Sequence, residues 1–200
     1  SLPRRETDRL ARPKAFTTFH HTYQLSLMKR LVKALPQSAE PVSPREALNW
    51  ISRLKQDVAT PDSLGISETP ADDTCRKLWT QYHDALEKAA AVDFDDLLVL
   101  PARLLTENEE VRRKYQGRYR HILVDEYQDT NHAQYLIARE LAGENGNLFV
   151  VGDEDQGIYS WRGATIQNIL TFAEEFQNTQ TFRLEQNYRS TKPILDAANA

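Results

Sequence analysis

HILVDEYQDTNHAQY, residues 121–135, is the stretch whose reading decides the fold. An apolar run over residues 122–124 delivers two adjacent carboxylates, Asp125 and Glu126, to a strand end, and a helical pattern follows from His132. In open parallel sheets ligands gather beyond the carboxyl ends of the strands. An acidic pair there is where a nucleotide-hydrolysing sheet places a magnesium ligand and a water-activating base. Strands also end in Asp or Glu simply to leave the core, so the pair alone keeps both readings open.

Two downstream segments repeat the pattern. NLFVVGDEDQGIYSWRGA, residues 147–164, reads as an apolar strand, a Gly-Asp turn, a glutamine, then Tyr159 and Trp161 two residues apart. TFRLEQNYRSTKPI, residues 181–194, reads as a short strand ending in Gln186, Asn187, Tyr188 and Arg189 before a helix from about Thr191. The spacing predicts strands at 122–124, 148–151 and 181–184 and helices at 132–142 and 165–176, the alternation of a parallel sheet. Asp129 is expected to cap the helix from His132, since a carboxylate satisfies free amides at that position.

The first 120 residues have a different texture. A short strand is expected at 16–19, and an amphipathic helix at 23–35 carries Leu25, Met28, Leu31, Val32 and Leu35 on one face. Pro36, Pro41 and Pro44 interrupt it, and Ser43, Pro44 and Glu46 start a helix to about residue 57. Residues 59–73 are rich in Pro, Gly, Ser and Asp and read as a loop. Helices are expected at 74–91, 94–105 and 109–115.

The segments VDEYQDTN, VGDEDQGIYSWRGA and LEQNYRST resemble, in type, order and spacing, the acidic-box, sensor and arginine motifs of superfamily 1 DNA helicases of the UvrD, PcrA and Rep group. FTTFHHTYQLSLMKRLVKAL, residues 16–35, is similar to the entry into that group's helical insertion, and VDFDDLLVLPARLL, residues 92–105, to the helix leading back into the motor core. TTFHH also resembles the box with which these helicases touch a DNA phosphate. Because QLSLMKRL follows at once, it is read as the insertion-entry strand, and His20 and His21 as structural.

The resemblance implies an α/β fold, a partial RecA-like (P-loop NTPase) parallel sheet with an all-helical insertion domain. Residues 1–15 would end a first motor segment, 16–91 form the insertion, and 92–200 return to the motor. It implies that Asp125 holds Mg2+ and that Glu126, also near the metal, deprotonates the attacking water. Tyr188 would stack on the adenine of ATP, and Arg189 would reach the terminal phosphate, where a guanidinium stabilises developing charge. Gln156 is a neutral amide beside the acidic box, suited to sensing a terminal phosphate without adding charge; in the family this position reports the third phosphate. Gln128 is expected to link the nucleotide site to the sensor strand.

Tyr159 and Trp161, at i and i+2 of an extended loop, put both rings on one side, where they can stack on successive unpaired bases. Core burial is the alternative, but Ser160 and Arg162 interleave with the rings and Gly157 and Gly163 flank them, which favours stacking. Arg162 would then contact the DNA backbone or support the rings.

A P-loop needs Gly-Lys followed by Ser or Thr, and no glycine here precedes lysine; Gly117-Arg118 comes nearest. The chain begins at Ser1 and stops at Ala200, just past the third motif. It therefore reads as a piece of a larger motor whose P-loop segment and second motor domain lie elsewhere in a parent chain. The piece alone is expected to hydrolyse no ATP, and its incomplete sheet to offer an edge to another chain.

Composition agrees with a cytoplasmic protein of 200 residues, 40% hydrophobic, large enough for two compact units. No apolar run approaches the roughly 20 residues of a membrane span. The one cysteine excludes an internal disulfide, and the five histidines show no metal spacing. Net charge is -4, yet residues 1–60 hold 11 Lys and Arg against 5 Asp and Glu, and residues 61–200 hold 14 against 24. The basic stretch suits DNA phosphates or a solvated helical face. The resemblance implies an ATP-dependent DNA helicase moving 3′ to 5′ on single-stranded DNA and unwinding duplex, in repair or replication. Alternatives are a catalytically inactive helicase-like DNA-binding subunit or the motor half of a helicase-nuclease.

Overall fold

The computed structural model describes residues 5, 6, 9, 16–143, 147–157, 163–176 and 178–198, which divide into units Ser1–Leu170 and Thr171–Ala200. In the first unit, strand β1 (Thr17–Thr18) leads into helix α1 (His21–Lys33). The expected apolar stripe of α1 faces the core, joined by buried Leu27. Helix α2 (Pro44–Gln56) starts where Ser43 and Glu46 cap each other: the Glu46 N–H donates to Ser43 Oγ at 3.2 Å and the Ser43 N–H to the Glu46 carboxylate at 2.9 Å.

Helix α3 (Pro70–Lys88) begins four residues before the expected start, because Thr69 Oγ1 accepts the Asp72 N–H and Pro70 occupies the first turn. Loop-like composition concealed a helix start. The three helices share one core of Met28, Ile51, Leu78, Trp79, Tyr82 and Leu86, with Trp50 edge-on to Trp79. Cys75 is buried there, and burial, with Asp72 and Glu46 nearby, pushes its thiol up to about 11.

The helix also ends earlier than expected. Residues 91 and 92 form strand β2 (Ala91–Val92), parallel to β1 with Thr17 opposite Ala91 and Thr18 opposite Val92. The chain thus returns from α3 beside the strand from which it entered α1. Helices α4 (Asp96–Glu107) and α5 (Glu109–Arg118) follow, and Leu104, Leu105, Val111 and Tyr115 form a second core.

Lys55 joins the two regions. Its ammonium lies 2.7 Å from both Asp93 Oδ2 and Asp96 Oδ1, and all three residues are buried. Burial alone would lower the lysine, but Asp96 and Asp93 outweigh it and hold it above its ordinary value.

Strands β3 (His121–Val124) and β4 (Asn147–Val150) are parallel, His121 opposite Asn147 through Val124 opposite Val150, with helix α6 (His132–Ala142) as the crossover. Alternation sends Leu123 and Phe149, directly opposite each other, to the face where they are 73% and 55% exposed. Asp129 does not cap α6. Asn131 does, accepting the Gln134 N–H at 3.0 Å while Gln134 returns the bond, and Asp129 closes a short 3-10 turn, Tyr127–Asp129.

The helix expected at 165–176 is two short ones, α7 (Gln167–Leu170) and α8 (Phe172–Glu175). Asn168 donates to the Thr130 carbonyl and hydroxyl, fixing α7 to the acidic stretch, and the chain restarts at Thr171. In the second unit, residues 181–184 form no strand; Phe182 and Leu184 are exposed, and among the described residues no neighbour supplies a ladder. Helix α9 (Lys192–Ala198) follows. The described residues thus mix helices with two small parallel sheets, and no described helix is long and apolar enough to cross a membrane.

Candidate functional site

Because β3 and β4 are parallel neighbours in register, their carboxyl ends lie side by side and deliver residues 125–130 and 151–157 to one edge. The Val151 N–H donates to the Val124 carbonyl and the Tyr127 N–H to the Val151 carbonyl, both at 2.9 Å, so the two strand-end loops are stitched together. Asp125 and Glu126 are exposed, and Asp125 Oδ1 accepts the Glu126 N–H at 3.0 Å.

Glu126 adopts the left-handed conformation, φ 50° and ψ 47°. That costs a non-glycine residue about 1–3 kcal/mol and persists only where surroundings enforce it. Here the consequence is chemical: the chain turns after Val124, so Asp125 and Glu126 are released from strand alternation and both reach the same edge. A cavity of about 480 Å³ lies beside them, lined by Leu98, Val124, Asp125, Glu126, Asp129 and Gln134 among others.

Gln156 ends a short 3-10 turn, Glu154–Gln156, beyond β4. Its side-chain amide donates to Asp153 Oδ2 at 2.6 Å, and Asp153 Oδ1 accepts the Asp155 N–H at 3.0 Å. Between the two loops lies Gln128, 1% exposed. Its Nε2 donates to Glu126 Oε2 at 2.8 Å and its Oε1 accepts the Asp153 N–H at 3.1 Å. The structure thus brings together Asp125, Glu126 and Gln156 and supplies Gln128 and Asp153 as connectors. Asp153 was not singled out from sequence; its signal was the Gly-Asp turn of VGDEDQ.

Tyr188 and Arg189 belong to the second unit. Tyr188 is 87% exposed and its hydroxyl meets Gln186 Oε1 at 3.2 Å, while Asn187 Oδ1 accepts the N–H groups of Arg189 and Ser190, both at 2.8 Å, fixing a turn. Tyr159, Trp161 and Arg162 lie outside the described residues. His20 and His21 are exposed, and the His20 ring packs on Phe94 at 5.4 Å. Among the described residues no three His, Cys, Asp or Glu side chains converge on a metal position.

The model of the UvrD/REP helicase N-terminal domain matches residues 2–177. An ATP-dependent DNA helicase PcrA of Leuconostoc citreum is 42% identical over 198 residues, 98% of this chain and 26% of the relative. DNA helicase II of Salmonella typhimurium and of Escherichia coli are each 41% identical over 188 residues, 94% of this chain and 26% of theirs. The chain spans about a quarter of the length of these curated relatives.

Proposed function

The chain belongs to the UvrD/REP helicase family, and on that premise we propose that it is part of the motor of an ATP-dependent DNA helicase. The reading takes residues 92–200 as a partial RecA-like parallel sheet, 16–91 as its helical insertion and 1–15 as the end of a preceding motor segment. The return of β2 alongside β1 supports an insertion, because a domain inserted into another leaves and re-enters at neighbouring points.

The observation that carries the proposal is the meeting of Asp125, Glu126 and Gln156 at the carboxyl ends of two adjacent parallel strands, the place where open α/β sheets take ligands. Two exposed carboxylates beside one another suit Mg2+, which keeps several waters and takes only one or two carboxylates; bound there, it would neutralise charge on the ATP phosphates. Asp125 is assigned to the metal. Glu126 orients and deprotonates the attacking water, and Gln156 meets the terminal phosphate. Tyr188 and Arg189 are assigned to the adenine and the terminal phosphate, and Tyr159, Trp161 and Arg162 to single-stranded DNA. The proposal extends to 3′ to 5′ movement, unwinding of duplex, and a role in repair or replication, with the phosphate-cradling loop and second motor domain supplied by the remainder of the full-length protein.

The test uses the full-length protein. Magnesium-dependent ATP hydrolysis stimulated by single-stranded DNA is expected, falling by about 10²–10⁴-fold in Glu126→Gln, with displacement of duplexes carrying a 3′ rather than a 5′ tail. Binding of DNA without any hydrolysis would replace this reading with that of a catalytically inactive DNA-binding subunit. The 200-residue chain by itself is expected to hydrolyse no ATP.

A further inference from the structure

Glu126 and Gln156 do not touch, yet one continuous path of polar contacts joins them. Gln156 Nε2 holds Asp153 Oδ2 at 2.6 Å, the Asp153 N–H holds Gln128 Oε1 at 3.1 Å, and Gln128 Nε2 holds Glu126 Oε2 at 2.8 Å. From this we infer that Gln128 is a positioning residue that makes the orientation of the Glu126 carboxylate depend on where Gln156 stands. The inference rests on the hydrolytic reading above and adds to it a relay from phosphate contact to base.

The chemistry of each link supports a relay rather than simple packing. Gln128 is 1% exposed, so its amide cannot replace either partner with water. Of the side chains of this length, only a neutral amide both donates to a carboxylate and accepts from a backbone N–H. Glutamate would set a second negative charge against Glu126, and methionine would make neither bond. The backbone leaves room for this side chain: a Cβ on Gly152 would lie 2.6 Å from Gln128 Oε1 and 2.8 Å from Ile169 Cδ1.

Glu126 itself is held in a left-handed conformation, so its carboxylate direction depends on what grips it. The Gln156 amide nitrogen carries two N–H groups, so one can keep Asp153 Oδ2 while the other meets a terminal phosphate. The shift of Gln156 then moves Asp153, whose N–H carries that motion through Gln128 to Glu126. Hydrolysis becomes conditional on the third phosphate being in contact.

The test is single-turnover and steady-state ATP hydrolysis by the full-length protein with single-stranded DNA present. Gln128→Met, which breaks both bonds, Gln128→Glu, which reverses only the bond to Glu126, and Gly152→Ala, which displaces the amide from the other side, are each expected to lower kcat by about 10–100-fold, the usual cost of losing a group that orients a reacting one. KM for ATP is expected to stay within about threefold, because no nucleotide contact is removed. In a Gln156→Ala background, Gln128→Met is expected to cost less than about threefold further, since the path is already cut.

Wild-type kcat in any folded variant of the three, or a full additive loss in the Gln156→Ala background, would overturn the relay. Failure of all three to fold, read by thermal melting, would assign Gln128 to packing and overturn it too. An inactive wild type, or a Glu126→Gln variant that keeps turning over, overturns the hydrolytic reading and the relay together and is distinguished by being visible before any Gln128 variant is made.

Discussion

The helical region and the β3–β4 sheet are both in the first unit, yet one is closed and the other is bare. Helices α1 to α3 surround a core in which Met28, Leu78, Trp79, Tyr82 and Leu86 are almost wholly inaccessible. The sheet has α6 on one side, while Leu123 and Phe149 stand open on the other. A helix satisfies its own backbone and needs only one apolar stripe covered. A strand needs neighbours at both edges and cover on both faces of a parallel sheet. The helical region therefore completes itself within about 70 residues of local chain, whereas two strands and one crossover helix leave the sheet unfinished.

That contrast predicts where substitutions hurt. The largest effect belongs to Lys55→Met. Removing the cation leaves Asp93 and Asp96 buried and uncompensated, and stability in urea is expected to fall by about 3–5 kcal/mol. Lys77→Met, which removes an exposed helical partner of Asp73 at 3.8 Å, is expected to change it by less than about 0.5 kcal/mol. Because the Lys55 pKa is raised on folding, its contribution is fully present below the unfolded lysine value and is lost only as pH rises through the folded one. In Lys55→Met the buried carboxylates lose the cation that opposes the effect of burial and bind protons more readily, so the difference between wild type and variant should shrink as pH falls. A small cost for Lys55→Met would mean that the seam between α2 and α4 is wet.

An intermediate effect is expected at the start of α6. Asn131→Ala removes the side-chain acceptor for the Gln134 N–H and should cost about 1 kcal/mol in a urea melt. Asp129→Ala should cost less, since its carboxylate caps nothing there. The opposite order would return the cap to Asp129.

How much of this was legible in the chain differs between the two regions for the same physical reason. Local signals carried the helices: Ser43 and Glu46 gave the start of α2, and the stripe on α1 gave its buried face. Where a start was missed, as at Thr69 and Pro70, the capping signal was present but sat inside loop-like composition. The strand at Ala91–Val92 had no local signature, because its partner Thr17–Thr18 is more than 70 residues away. Residues 181–184 had the signature of a strand and, among the described residues, no strand to pair with. At the site, Asp125, Glu126 and Gln156 were readable as residue types at strand ends. The link of Gln128 from the nucleotide site to the sensor strand was expected as well; the left-handed backbone of Glu126 and the choice of Asp153 as the partner of Gln128 were not, since both depend on two loops meeting.

The smallest effect on stability is expected on the bare face of the sheet, and it tests the contrast most directly. Phe149 lies opposite Leu123, and both rest largely in solvent. Phe149→Thr introduces a β-branched side chain suited to a strand and removes little buried area, so stability in urea should shift by no more than about 0.5–1 kcal/mol. Exposed apolar side chains beside unpaired strand edges favour contacts between chains. Self-association of the 200-residue chain, followed by light scattering over increasing concentration, should therefore fall in Phe149→Thr although stability hardly moves. A loss of several kcal/mol would place Phe149 in a packed interior and erase the contrast. A wild-type chain that stays monomeric at high concentration would leave the face bare but show that neither it nor the strand edges hold chains together.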